Sequence, residues 1–108
     1  SNSFAADGEN FARKIFVRAP SDGSVSVIAS ETDERLTLTF DPNVLPWLGL
    51  WINNQGWSEC GSEPYQNLGL EPSTTNYDCV AEAVRNDAID WIQPDETRAW
   101  TLTVELTA

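Results

Sequence analysis

The chain has 108 residues, of which 41% are hydrophobic and 21% charged, a globular composition sized for one domain. Six basic residues against seventeen acidic ones give a formal net charge of −11. That balance excludes the clustered cations on which nucleic acid and anionic membranes depend. The chain contains no His, which excludes within it a Ser-His-Asp triad, a Cys-His pair and His-ligated zinc.

Residues 1–12 are small and polar and read as a flexible N-terminal arm; the folded segment runs over 13–108. From Lys14 the pattern alternates, with Ile15 and Val17 on one face of a first strand. Pro20-Ser21-Asp22-Gly23 is a turn. Val25 and Val27 mark a second strand, and Leu36, Leu38 and Phe40 mark a third. Pro46 opens a fourth strand over Trp47 to Asn53, a loop covers 54–65, and a fifth strand runs from Gln66 to Glu71. The spacing predicts one or two helical turns from Asp78 to about Arg85, with Asp78 as N-cap. After Pro94-Asp95-Glu96 a last strand is predicted over Arg98 to Leu106, with Trp100, Leu102, Val104 and Leu106 on one face. The whole is an all-β reading, an antiparallel β-sandwich. No run of about 18 apolar residues predicts a membrane span.

The fourth and fifth strands carry the candidate site. Side chains alternate between the faces of a strand. Leu48, Leu50 and Ile52 therefore form one aliphatic face, with Trp47, Gly49, Trp51 and Asn53 on the other. Leu68 and Leu70 likewise oppose Asn67, Gly69 and Glu71. A sugar stacks its C–H face on an aromatic plane and pairs its hydroxyls with amides and carboxylates. Trp47, Trp51, Asn53 and Asn67 are thus candidate substrate-binding residues, with the glycines leaving room above the sheet. Glu71 precedes Pro72, which favours extended geometry at the strand end. Flanking tryptophans would partly desolvate its carboxylate and suit it to act as a base. Each of these residues also has a plainer use: tryptophan as core, Asn53 as a turn former, Glu71 as an exposed strand-end acid, Asp78 as a helix cap. Cys60 and Cys79 read as free thiols, with a disulfide between them as the alternative; two cysteines without His make a poor metal site. No metal and no cofactor is expected.

The segments FDPNVLPWLGLWINNQGW (Phe40 to Trp57), NLGLEPSTTNYD (Asn67 to Asp78) and IQPDETRAWTLTVEL (Ile92 to Leu106) resemble, in order and spacing, the C-terminal part of the galactose mutarotase-like family, which includes the aldose 1-epimerases. The resemblance implies a β-supersandwich with the sugar on a concave sheet face. It implies that Glu71 is the general base at the anomeric hydroxyl, opening the ring so that it recloses as the other anomer. The family's partner acid is a histidine upstream of this segment, and this chain has none. The expectation is therefore a C-terminal portion, inactive alone, that pairs with a missing N-terminal half or with itself. The alternative is a carbohydrate-binding β-sandwich module without chemistry. The partner expected in either case is a sugar, with no nucleic acid and no membrane.

Overall fold

The computed structural model describes residues 10–108. Six strands and one short helix follow in chain order: β1 (Phe11–Arg18), β2 (Ser24–Ile28), β3 (Arg35–Thr39), β4 (Trp47–Asn54), β5 (Gln66–Ser73), α1 (Val80–Arg85) and β6 (Thr103–Thr107). They form two three-stranded sheets, β1-β4-β5 and β2-β3-β6, with every pairing antiparallel. This is the all-β, sandwich-like architecture that period-2 alternation predicts. No helix among the described residues is long and apolar enough to cross a membrane.

The aliphatic faces of the two sheets turn toward each other. Leu68 and Leu70 of the first sheet and Val27, Leu36, Leu38 and Val104 of the second line one shared apolar space. The buried centre is Leu38, Phe40 and Leu45, with Ala19, Val25, Val44 and Leu70 packed around it. The Trp47–Trp51 face of β4 is therefore the outer face of the first sheet.

The connection from β1 to β2 is a tight turn. The Gly23 N–H donates to the Pro20 carbonyl at 2.9 Å, with Gly23 at φ +66°. A side chain there would run into the Phe40 carbonyl. Glycine is required twice over, by the left-handed backbone and by the close approach. Phe40 N–H in turn donates to the Gly23 carbonyl, tying the start of β2 to the end of β3.

Several boundaries differ from the sequence expectation. Phe11 and Ala12, expected in the flexible arm, are the first residues of β1, paired with Asn54 and Asn53; the rest of that arm up to residue 9 lies outside the described residues. β5 continues through Pro72 to Ser73. Proline is tolerated because, among the described residues, β5 is an edge strand with a ladder on one side only. The last strand is shorter than expected. β3 offers only Arg35–Thr39 as a partner, and β6 uses all of it, from Thr107 back to Thr103. Among the described residues, no strand pairs with Arg98 to Leu102. The helix starts at Val80, and its N-cap is Cys79, with no side-chain capping bond. Asp78 is not the cap because its carboxylate is held elsewhere. Cys60 and Cys79 are both free and exposed.

Candidate functional site

Register decides which side chains share the outer face. Lys14 of β1 lies opposite Trp51 of β4, and Phe16 opposite Gly49. Across the other edge of β4, Gly69 lies opposite Trp51, Glu71 opposite Gly49, and Asn67 opposite Asn53. Paired residues of antiparallel strands project to the same face. The outer face thus gains a lysine and a phenylalanine that inspection of the fourth and fifth strands alone does not supply.

Lys14 organises its centre. Its Nζ lies 2.5 Å from Glu71 Oε2 and 2.9 Å from Asp78 Oδ1. The Glu71 carboxylate, opposed by burial and assisted by Asp78, raises the Lys14 pKa above its ordinary 10.5. Lys14 Nζ also sits 5.2 Å from the Phe16 ring centroid, a cation–π distance. These groups fill the space over Gly49. A methyl placed there would meet Lys14 Cε at 3.1 Å, with Glu71 Oε2 and Phe16 Cε1 both at 3.3 Å. Over Gly69 the space is taken by the Trp51 side chain, whose Cβ would be 3.3 Å away. The glycines therefore admit neighbouring side chains from the adjacent strands instead of leaving open room, which corrects that expectation.

Beside this ion-paired centre is an open concavity of about 380 Å³, lined by Lys14, Trp51, Trp57, Glu71 and Asp78. Trp51 and Trp57 meet edge-to-face, with centroids 6.4 Å apart and planes at 81°. Trp57 makes a second edge contact with Tyr65 at 6.3 Å. Trp57 is 46% exposed, so its role is not that of a core residue.

The expected site residues separate into distinct settings. Trp51 and Glu71 come together in the concavity just described. Trp47 lies at the other end of β4 and lines a second, larger concavity. Asn67 is exposed at the start of β5 and lines neither. Asn53 is fully buried, at 0% exposure. Its Nδ2 donates to the Trp57 carbonyl at 2.9 Å, and its Oδ1 accepts from the N–H groups of Gly56 and Trp57 at 3.1 Å each. Its amide is consumed in shaping the turn that carries Trp57, so Asn53 positions an aromatic wall and does not meet a ligand directly. Glu71 faces an ammonium group instead of being walled in by indoles, which replaces the desolvated setting expected for it.

Lys14 and Trp57 are not among the candidate site residues of the sequence, and Asp78 reads there as a helix cap; the structure brings all three to the concavity. Lys14 had a signal: it alternates with Ile15 and Val17, which places it on the outer face of β1. Trp57 and Asp78 arrive from loops, and no periodicity places them. Among the described residues no group of His, Cys, Asp or Glu is arranged to hold a metal ion. No family model, curated protein or solved structure matches the chain.

Proposed function

We propose that the outer face of the β1-β4-β5 sheet is a carbohydrate-binding surface centred on the corner between Trp51 and Trp57. The observation that carries this reading is the pairing of two nearly perpendicular indoles with a charged wall of Lys14, Glu71 and Asp78 around one open concavity. An indole face accepts the C–H face of a pyranose. The ammonium donates to ring or hydroxyl oxygens, while the two carboxylates accept from hydroxyls. The volume falls within the range of small-molecule sites. The exposure of Trp57 weighs against the reading in which every tryptophan is structural.

Binding without chemistry fits this geometry best. The narrower reading is an aldose 1-epimerase-like isomerase, with Glu71 as base, to which this chain contributes a portion inactive alone. It draws support from the placement of Glu71 on an ordered strand at the concavity wall with a half-exposed side chain. For that role Glu71 must release Lys14. Lys14 itself holds its proton too tightly at neutral pH to act as the partner acid.

The test is a titration of tryptophan fluorescence with galactose, glucose and their short oligosaccharides, repeated on Trp51→Ala and Trp57→Ala. Saturable binding lost in both variants is expected. Absence of any saturable response in the unaltered chain removes the carbohydrate reading. Polarimetry of anomer interconversion by the longer protein that the isomerase reading requires, with and without Glu71→Gln, then separates isomerase from module; interconversion indifferent to that substitution removes Glu71 as the base.

A further inference from the structure

The second concavity, about 690 Å³, lies at the opposite end of the same sheet, where β1 and β5 finish and β4 begins. Its distinguishing residue is Arg18. The guanidinium carbon stands 4.3 Å from the Trp47 ring centroid, and among the described residues Arg18 has no carboxylate partner. The other arginine of this concavity is committed: Arg98 binds Asp90, lies 3.3 Å from Glu96 Oε2, and donates to the Trp91 carbonyl at 3.2 Å. Those bonds also hold Asp90 and Glu96 on Arg98. The amide side chains of Asn43 and Asn76, which line the same concavity, have no hydrogen-bond partner among the described residues. Beside Asn76, the buried Thr75 hydroxyl is also without one. A stacked guanidinium, its N–H edge free, and two uncommitted amides thus surround one space in a chain of net charge −11.

We propose that this concavity binds the carboxylate of an acidic sugar, with Arg18 as its counter-ion. A guanidinium lying on an indole keeps its in-plane N–H groups available, and their fork matches a carboxylate. The Trp51 end does not suit an anion, because Glu71 and Asp78 outnumber Lys14 there. Trp47 and Trp51 are four positions apart on one face of β4, about 13 Å along the strand. A ligand that meets both Trp51 and Arg18 is longer than a single sugar, so the ligand class proposed is a short oligosaccharide containing a uronate unit. The inference rests on the carbohydrate reading and narrows it to acidic glycans.

The experiment compares trigalacturonate with its uncharged methyl ester by calorimetric titration of the unaltered chain, Arg18→Gln and Trp51→Ala. Galactose serves as a neutral control, and a urea midpoint for each variant confirms folding. Trigalacturonate is expected to bind about tenfold or more tightly than the ester, the worth of one charge-assisted pair, and Arg18→Gln is expected to bring that ratio close to one. Equal affinities in the unaltered chain, or a preference that survives Arg18→Gln, overturn this inference. Trp51-dependent galactose binding without any preference for charge overturns it while leaving the broader reading in place. An Arg18-dependent preference indifferent to Trp51→Ala does the reverse, supporting the Arg18 site and overturning the Trp51 corner.

Discussion

Asn53 shows how a residue drawn into a candidate site by its face can belong to the scaffold beneath it. Its position on β4 is the one alternation predicts, in line with Trp47 and Trp51. What alternation does not contain is the return of the chain at Gly56 and Trp57, which closes over the amide and uses both ends of it. Alanine at position 53 leaves a carbonyl and two N–H groups without their partner. The expected loss is about 1–2 kcal/mol, in keeping with part-buried hydrogen bonds whose freed groups water can reach, read from urea unfolding. The same substitution is expected to weaken sugar binding through a displaced Trp57. A stability change below about 0.5 kcal/mol would show that the Asn53 bonds contribute little.

Among the elements, β4 was the most legible. Its aliphatic side, Leu48, Leu50 and Ile52, and its aromatic side, Trp47 and Trp51, follow from a period of two, which a strand imposes locally. β1 and β6 were less so, because their contributions depend on partners. The opposition of Lys14 to Trp51 is a matter of register, and the end of β6 at Thr103 is set by the length of β3. The start of α1 differs from the sequence expectation for a related reason: Asp78 has the chemistry of a cap, but an ammonium 64 positions upstream takes its carboxylate. The Lys14 cluster ties β1, β5 and the approach to α1 together and gives the fold a pH signature. The Lys14 pKa is raised on folding, so this stabilisation is complete below the unfolded value, about 10.5, and is lost as pH rises through the folded value. Unfolding free energies measured from about pH 9 to about pH 12 should fall more steeply for the unaltered chain than for Lys14→Met. Parallel curves would show that the cluster makes no linked contribution. At the other end of the sheet, the Gln93 backbone N–H, aided by Arg98, lowers the Glu96 pKa, an exposed arrangement that shapes the turn before residue 98.

At the scale of the whole molecule, the two sheets share a thin core. The Cα radius of gyration is 16.1 Å, against about 13 Å for a compact chain of about 100 residues. Every residue of β6 is exposed, including Val104 at 61% and Leu106 at 74%, and Ile15, Val17 and Ile28 are also more than a third exposed. Leu106 and Val104 were placed correctly on one face by their alternation with Thr103 and Glu105. How little would cover that face was not legible, since coverage is a property of the assembled sheets. An uncovered apolar face of this kind binds hydrophobic dyes. The isolated chain is expected to enhance anilinonaphthalene sulfonate fluorescence at neutral pH without denaturant, and Leu106→Glu is expected to reduce the signal. A native chain that leaves the dye dark would mean that these side chains are covered in solution.

Lys14 is the only lysine in the chain, and it sits between Trp51 and the two carboxylates. The molecule therefore carries one side-chain amine, located at the candidate site itself. Reductive methylation with isotopically labelled formaldehyde places a single side-chain methyl resonance there, in a spectrum with no other lysine to confuse it. A sugar entering the concavity would shift that line and protect the amine from modification, so occupancy can be followed directly, without knowing beforehand which sugar it is.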